Sequence, residues 1–249
     1  MNKIRLIAAA LGVTALESSD LKRKHVKDLK YLDMAAGIYH RNMLVCGGIL
    51  INGINILTWA RCFGGSTVDY QAVIFPNYKP VPKYFPLLSL NFDPKVLGSS
   101  PTLAIARIEN HLKGETSITL GQDLDLNFAF NFIHWDRTDD GWGHAKAPIN
   151  SVIKLVSHSE CRNQYRKDTL DEGDLCPQYE RNGNRVCSLD PGSPVLDGDV
   201  LVAISTWSYG CNLLDYPSSF TPIKPFSEWI NEITSIPVEY QMVINEYFQ

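Results

Sequence analysis

Six cysteines, at positions 46, 62, 161, 176, 187 and 211, constrain this 249-residue chain more than any other feature. What they mean depends on compartment, because disulfides persist only in oxidising surroundings. The N-terminus speaks to that. Lys3 and Arg5 give a positive start, Leu6 to Val13 is a short apolar run, and Val13-Thr14-Ala15 offers small residues for cleavage. This pattern predicts a secretory signal over residues 1–15, the other reading being a buried N-terminal helix. Six cysteines in an exported chain predict three disulfides, with the connectivity left open by sequence alone. No C-x-x-C or H-x-x-x-H pair occurs, so neither a metal site nor a cofactor is predicted.

Composition narrows the class further. Hydrophobic residues make up 45% and charged residues 20%, which suits a globular fold, and 17 Gly with 14 Pro suit many short strands joined by turns. The net charge of −4 argues against a nucleic-acid partner. Beyond the N-terminus no apolar run reaches the roughly 18–20 residues of a membrane span.

Three stretches carry the chemistry. The first is Val186-Cys187-Ser188-Leu189-Asp190-Pro191-Gly192-Ser193-Pro194-Val195. It resembles the C-x-G-D-S-G-G-P-[LV] nucleophile loop of the trypsin/chymotrypsin family. The second, Cys46-Gly47-Gly48-Ile49-Leu50-Ile51 followed by Ile56-Leu57-Thr58-Trp59-Ala60-Arg61-Cys62, resembles the family's C-G-G-[ST]-L-I and V-L-T-A-A-H-C. The third, Pro101-Thr102-Leu103-Ala104-Ile105-Ala106-Arg107-Ile108, resembles the more degenerate N-D-I-A-L-[LI]-[KR]-L. Trp207-Ser208-Tyr209-Gly210-Cys211 is similar to S-W-G-x-G-C. The resemblance spans about residues 33–233.

That resemblance implies an all-β fold of two packed six-stranded antiparallel barrels with a C-terminal helix. Barrel one would cover about residues 33–125 and barrel two about 126–225, with the helix at 225–233 and a tail at 236–249. Residues 16–32 read as a solvated arm or a pro-segment. The resemblance also selects a disulfide pairing: Cys46–Cys62, Cys161–Cys176 and Cys187–Cys211. Periodicity adds detail. Residues 34–39, 43–51, 127–135, 149–156 and 200–206 read as strands, and residues 157–166 as a short capped helix. Phe226, Trp229, Ile230 and Ile233 share one helical face. Five prolines between residues 76 and 94 suggest long loops and edge strands over 64–100, 114–122 reads as a loop, and 168–174 as an acidic loop.

At the three triad positions the family pattern implies, this chain has Arg61, Thr102 and Pro191. A guanidinium has no acceptor lone pair, so Arg61 is no general base. Thr102 is neutral where a carboxylate is expected. Pro191 has neither a hydroxyl nor a backbone N–H, so it removes both a nucleophile and one of the two oxyanion donors. Leu189 stands at the other oxyanion position. Asp190 is expected to lack the charged N-terminus that pairs with it in active relatives, because residues 24–27 read Lys-His-Val-Lys.

The specificity pocket positions are Arg185, Ser208 and Ser218. They suggest a pocket filled by side chains, or else a cationic cleft for a carboxylate. His25, His40, His111, His134, His144 and His158 read as surface or packing residues, and Ser188 and Ser193 show no evident base. The expected function is therefore that of an exported, catalytically inactive homologue acting as a monomer through an unidentified protein partner. Inactivated protease paralogues of parasitic mites, which interfere with host complement, are one such type. Cofactors of arthropod protease cascades are another, and a weak hydrolase with a displaced nucleophile is the enzymatic alternative.

Overall fold

A computed structural model describes residues 29–64, 66–75, 81–94, 102–109, 117–121, 123–135, 147–164, 170–178, 190–207 and 218–235. Strand β1 (Ala35–His40) and strand β2 (Met43–Leu50) form a hairpin whose two central residues, Arg41 and Asn42, both adopt left-handed backbone angles (φ 48° and 67°). Such a turn matches the twist of the strands it joins. Asn52 turns β2 into β3 (Asn55–Trp59) by accepting the amides of Ile54 at 3.2 Å and Asn55 at 3.0 Å. With β4 (Tyr70–Ile74), β5 (Lys83–Phe92) and β6 (Leu103–Ile108), these strands close a barrel in the order β1-β2-β3-β6-β5-β4.

The region expected as loops and edges thus supplies two strands of a barrel without edges. Pro86 lies within β5, paired to Gln71 of β4. On the other flank β5 meets β6 only from Leu87 onward, with a bulge between Leu87 and Ser89. Proline is tolerated at such a point because the ladder is already interrupted there.

The second sheet runs β10-β9-β8-β11-β12-β13, with β7 alongside β12. Its members are β7 (Thr119–Leu120), β8 (Ala129–His134), β9 (Ile149–Val156), β10 (Cys176–Pro177), β11 (Pro194–Asp197), β12 (Val200–Trp207) and β13 (Ser219–Pro222). A reciprocal bridge between Leu175 and Phe220, at 2.9 and 3.0 Å, ties its two ends together. The two-residue β7 pairs in parallel with β12, where a loop was expected. Helix α1 (His158–Gln164) begins at Ser157, whose hydroxyl accepts the Glu160 amide at 3.3 Å. Helix α2 (Ser227–Ser235) is the last element among the described residues, with its Ile230 and the preceding Phe226 buried and Trp229 and Ile233 packed beside them.

Disulfides Cys46–Cys62 and Cys161–Cys176 are present as expected; Cys187 and Cys211 lie outside the described residues. The larger apolar core includes Ile38, Ile49, Leu57 and Ile105 of the first barrel. It continues through Ile133, Trp135, Leu196 and Ile204 of the second sheet to α2. A smaller core of Phe130, Phe132, Leu155, Val195 and Phe220 fills the second sheet. Burial of one such side chain contributes about 1.5–3 kcal/mol, so one continuous core joins the two sheets strongly.

Candidate functional site

Gly47 of β2 is the node at which the two sheets meet. Its amide donates to the Pro191 carbonyl at 2.8 Å, and its own carbonyl accepts the Thr58 hydroxyl at 2.6 Å. A Cβ on Gly47 would lie 2.3 Å from the Ser193 hydroxyl oxygen. Across the seam, Gly192 has φ 88°, and a Cβ there would lie 2.2 Å from the Gly47 carbonyl oxygen. Both positions need glycine, because backbone approaches backbone there. The turn is fixed from behind as well. The Gly192 amide donates to the Ser205 carbonyl at 2.5 Å, and the Ser205 hydroxyl donates to the Asp190 carbonyl at 2.9 Å.

Asp190 is fully buried, and its carboxylate accepts the Trp135 amide at 3.0 Å. Residues 24–27, where the charged partner was expected to be lacking, lie outside the described residues. Ser193 is also fully buried, and its hydroxyl has no partner among the described residues. Pro191 presents only a carbonyl to the seam, and that carbonyl is already bonded.

Arg61 lies in the 3₁₀ turn Ala60–Cys62 that follows β3, a turn held by the Cys46–Cys62 bridge. The Ala60 amide donates to the Thr102 carbonyl at 2.9 Å, so the structure brings Arg61 and Thr102 to one rim of the first barrel. The Arg61 side chain turns outward, with its Cζ 5.9 Å from the Trp59 ring centroid. A cation over an aromatic face is held electrostatically and keeps its flat donor surface toward water.

The sequence reading missed Asp93. This buried residue at the end of β5 brings a carboxylate to the Thr102 position from nine residues upstream. One oxygen, Oδ2, accepts the amides of both Thr102 and Leu103 at 2.5 Å. The carboxylate therefore caps the start of β6. The only sequence signal was an Asp-Pro dipeptide after a strand, which marks a turn and not a contact. Of the pocket positions, Ser218 is half-buried at the entry to β13; Arg185, Leu189 and Ser208 lie outside the described residues, as do Ser188, His25, His111 and His144.

A second buried carboxylate belongs to the other sheet. Asp174 accepts the Ser219 hydroxyl and, at 2.7 Å, the Thr221 hydroxyl, while Thr206 contacts both hydroxyls at 2.9 and 3.3 Å. Burial pushes the Asp174 carboxyl above the usual carboxylate range. The two hydroxyls oppose that shift, Asp171 adds to it, and His158 opposes it. The segment expected as an acidic loop thus sends one carboxylate into the interior.

The histidines differ in setting. His40 stacks on Tyr70, with centroids 4.6 Å apart. His134 stacks on Phe132, and its Nε2 lies 2.9 Å from the Ser151 hydroxyl. Side chains alternate along a strand. Trp135, the next residue, reaches the seam and contacts Gly47, so His134 and Ser151 share the opposite face, with Phe132. Among the described residues no group of three His, Cys, Asp or Glu side chains is placed to hold a metal ion, and no helix is long and apolar enough to cross a membrane.

The family model for trypsin matches residues 29–230. The chain belongs to the trypsin family. A trypsin-family relative, trypsin CFT-1 of Choristoneura fumiferana, is 27% identical over 210 residues, spanning 74% of this chain and 77% of that protein. Among solved structures, the scabies mite inactivated protease paralogue S-D1 superposes with a TM-score of 0.66 at 17% identity, covering 82% of this chain and 92% of the other. Neuropsin, a serine protease expressed in the limbic system of mouse brain, gives 0.64 at 20% identity, covering 82% and 95%. These two likenesses establish the trypsin-like fold, as the double-sheet architecture already indicated.

Proposed function

We propose that this trypsin-family chain is an exported homologue that does not cleave peptide bonds and works by binding another protein. The observation that carries the reading is Pro191. Its carbonyl is held by Gly47 in the turn where the family presents its nucleophile, and its ring leaves neither a hydroxyl nor an N–H to offer a substrate. Two further observations support it. Arg61 lies over Trp59 as a cation, and the Asp93 carboxylate near Thr102 is committed to two amides. A trypsin-like site stripped of its triad retains about 10³–10⁴ over water through the oxyanion hole and binding. Loss of the Pro191 donor lowers that remainder. Modulation of host defence, such as complement, is the setting we assign; a cofactor role in an arthropod protease cascade is the nearest variant.

Peptide thioesters and casein incubated with the refolded protein test the claim. Turnover abolished by a serine-directed inhibitor overturns it. One observation favours a second reading, that of a displaced hydrolase: His134 and Ser151 form a hydroxyl–imidazole pair. A fluorophosphonate probe separates the two. Labelling at Ser151, lost in Ser151→Ala, supports the hydrolase, and an unlabelled protein supports the binding role.

A further inference from the structure

The barrel rim that bears Arg61 and Thr102 combines an unmatched cation with aromatic rings. Arg61 is exposed, and its one polar or ring contact among the described residues is Trp59. All five guanidinium N–H groups are left for water or for an anion. The carboxylate on this rim is already committed, because Asp93 is buried and holds the Thr102 and Leu103 amides. Two residues past Arg61, Phe63 meets Phe92 edge-on with centroids 6.5 Å apart, and Phe92 is 44% exposed. The rim is also held in place. The Cys46–Cys62 bridge fixes one side of the Arg61 turn, and the Ala60 amide on the Thr102 carbonyl fixes the other. Arginine and tryptophan in a pre-set arrangement are the residue types that dominate binding energy at protein interfaces.

The complement lies in the same chain. Residues 236–249 follow α2 and read Ile-Pro-Val-Glu-Tyr-Gln-Met-Val-Ile-Asn-Glu-Tyr-Phe-Gln. They fall beyond the stretch that the trypsin family model matches. Glu246 stands directly before Tyr247 and Phe248, so one carboxylate and two rings travel together. The distance is within reach. Strands β3 and β6, which lead to the rim, share one apolar core with α2 through Leu57, Leu103 and Ile230. A strand of six residues such as β6 is about 20 Å long. Glu246 lies eleven residues beyond Ser235, the end of α2, and such a segment extends to about 36–40 Å. A short tether also sets an effective concentration of about 1 mM, so a contact too weak to hold a free peptide closes when it is tethered.

We propose that residues 236–249 fold back on the first barrel, with the Glu246 carboxylate on the Arg61 guanidinium and Tyr247 and Phe248 against Phe92 and Phe63. The chain's own tail then occupies the rim on which the family carries its general base. The proposal rests on the reading that this site does no chemistry, and it adds what covers the site. The two fail separately. Fluorophosphonate labelling would overturn the inactivity reading and leave the tail contact to be measured, whereas a tail that never docks would leave inactivity standing.

Nuclear magnetic resonance of the isotope-labelled full chain tests it. Glu246→Gln is expected to shift the amide resonances of Trp59, Arg61, Phe63 and Phe92, and Arg61→Gln to shift those of Tyr247 and Phe248. Both side chains are outside the core, so neither variant threatens the fold. The synthetic peptide of residues 241–249, added to the Glu246→Gln chain, is expected to bring the rim resonances back toward their parent positions. The same peptide carrying glutamine in place of Glu246 is expected to bind at least about fivefold more weakly. Unmoved rim resonances in Glu246→Gln overturn the proposal, as does equal binding of the two peptides or an equal effect of Glu239→Gln. Shifts that grow with protein concentration also overturn it, because they would make the tail of a second copy the occupant.

Discussion

Gly192 has less freedom than its neighbours because two requirements coincide there. It needs a left-handed backbone, and it faces a carbonyl oxygen that a Cβ would strike. Gly192→Ala is therefore expected to destabilise the protein by about 3 kcal/mol or more, read from a denaturant midpoint, because neither the turn nor β2 can yield alone. Asp174 makes a different prediction. Burial raises its carboxyl, so the fold favours the neutral form. The ionised form is then a liability that is absent at low pH and grows as pH rises from the ordinary carboxylate value through the raised one. Asp174→Asn keeps an acceptor, and the Ser219 hydroxyl is free to rotate toward the new amide. The variant is expected to be more stable than the parent near neutral pH by roughly 1 kcal/mol, with the gain gone by about pH 4. Thermal melts at the two pH values check this, and a gain at acid pH alone would refute the assignment.

At the scale of elements, β6 depends on one side chain, that of Asp93 just after β5. Asp93→Ala removes the acceptor for two amides, that of Leu103 buried and that of Thr102 half-buried, and is expected to cost about 2 kcal/mol, measured by equilibrium unfolding. The same example shows what the sequence could and could not reveal. Strands β1, β2, β8, β9 and β12 and helix α2 were legible, because alternation and helical spacing are local properties of the chain. So were the two cysteine-bracketed motifs and the residues Arg61 and Pro191 within them. Strands β4 and β5 were not, because proline reads as an edge when its partner strands are unknown. Neither was β7, whose two residues become a strand only through β12. Asp93, Asp174 and the His134–Ser151 pair were hidden for one reason. Each takes its meaning from a residue distant in the chain, and register across a sheet decides which distant residue that is.

For the whole molecule, the Cys46–Cys62 bridge does more than close a loop. It anchors the turn that bears Arg61 and leaves Thr58, 3.7 Å from Cys62 Sγ, in place to bond Gly47. The double variant Cys46→Ser with Cys62→Ser is expected to lose about 3 kcal/mol, read as a lower melting temperature under oxidising conditions. It should lose more than the pair Cys161–Cys176, which staples α1 to β10 away from the seam.

The fastening of the Pro191 turn to Gly47 has a consequence for how the protein comes apart. The bend acts as a clasp between the two sheets. Cutting the peptide chain between residues 190 and 193 would leave the disulfides of both flanks intact yet release that clasp. Calorimetry of the nicked protein should then register a single melting event at a lower temperature than the uncut chain, because the shared apolar core still couples the two sheets.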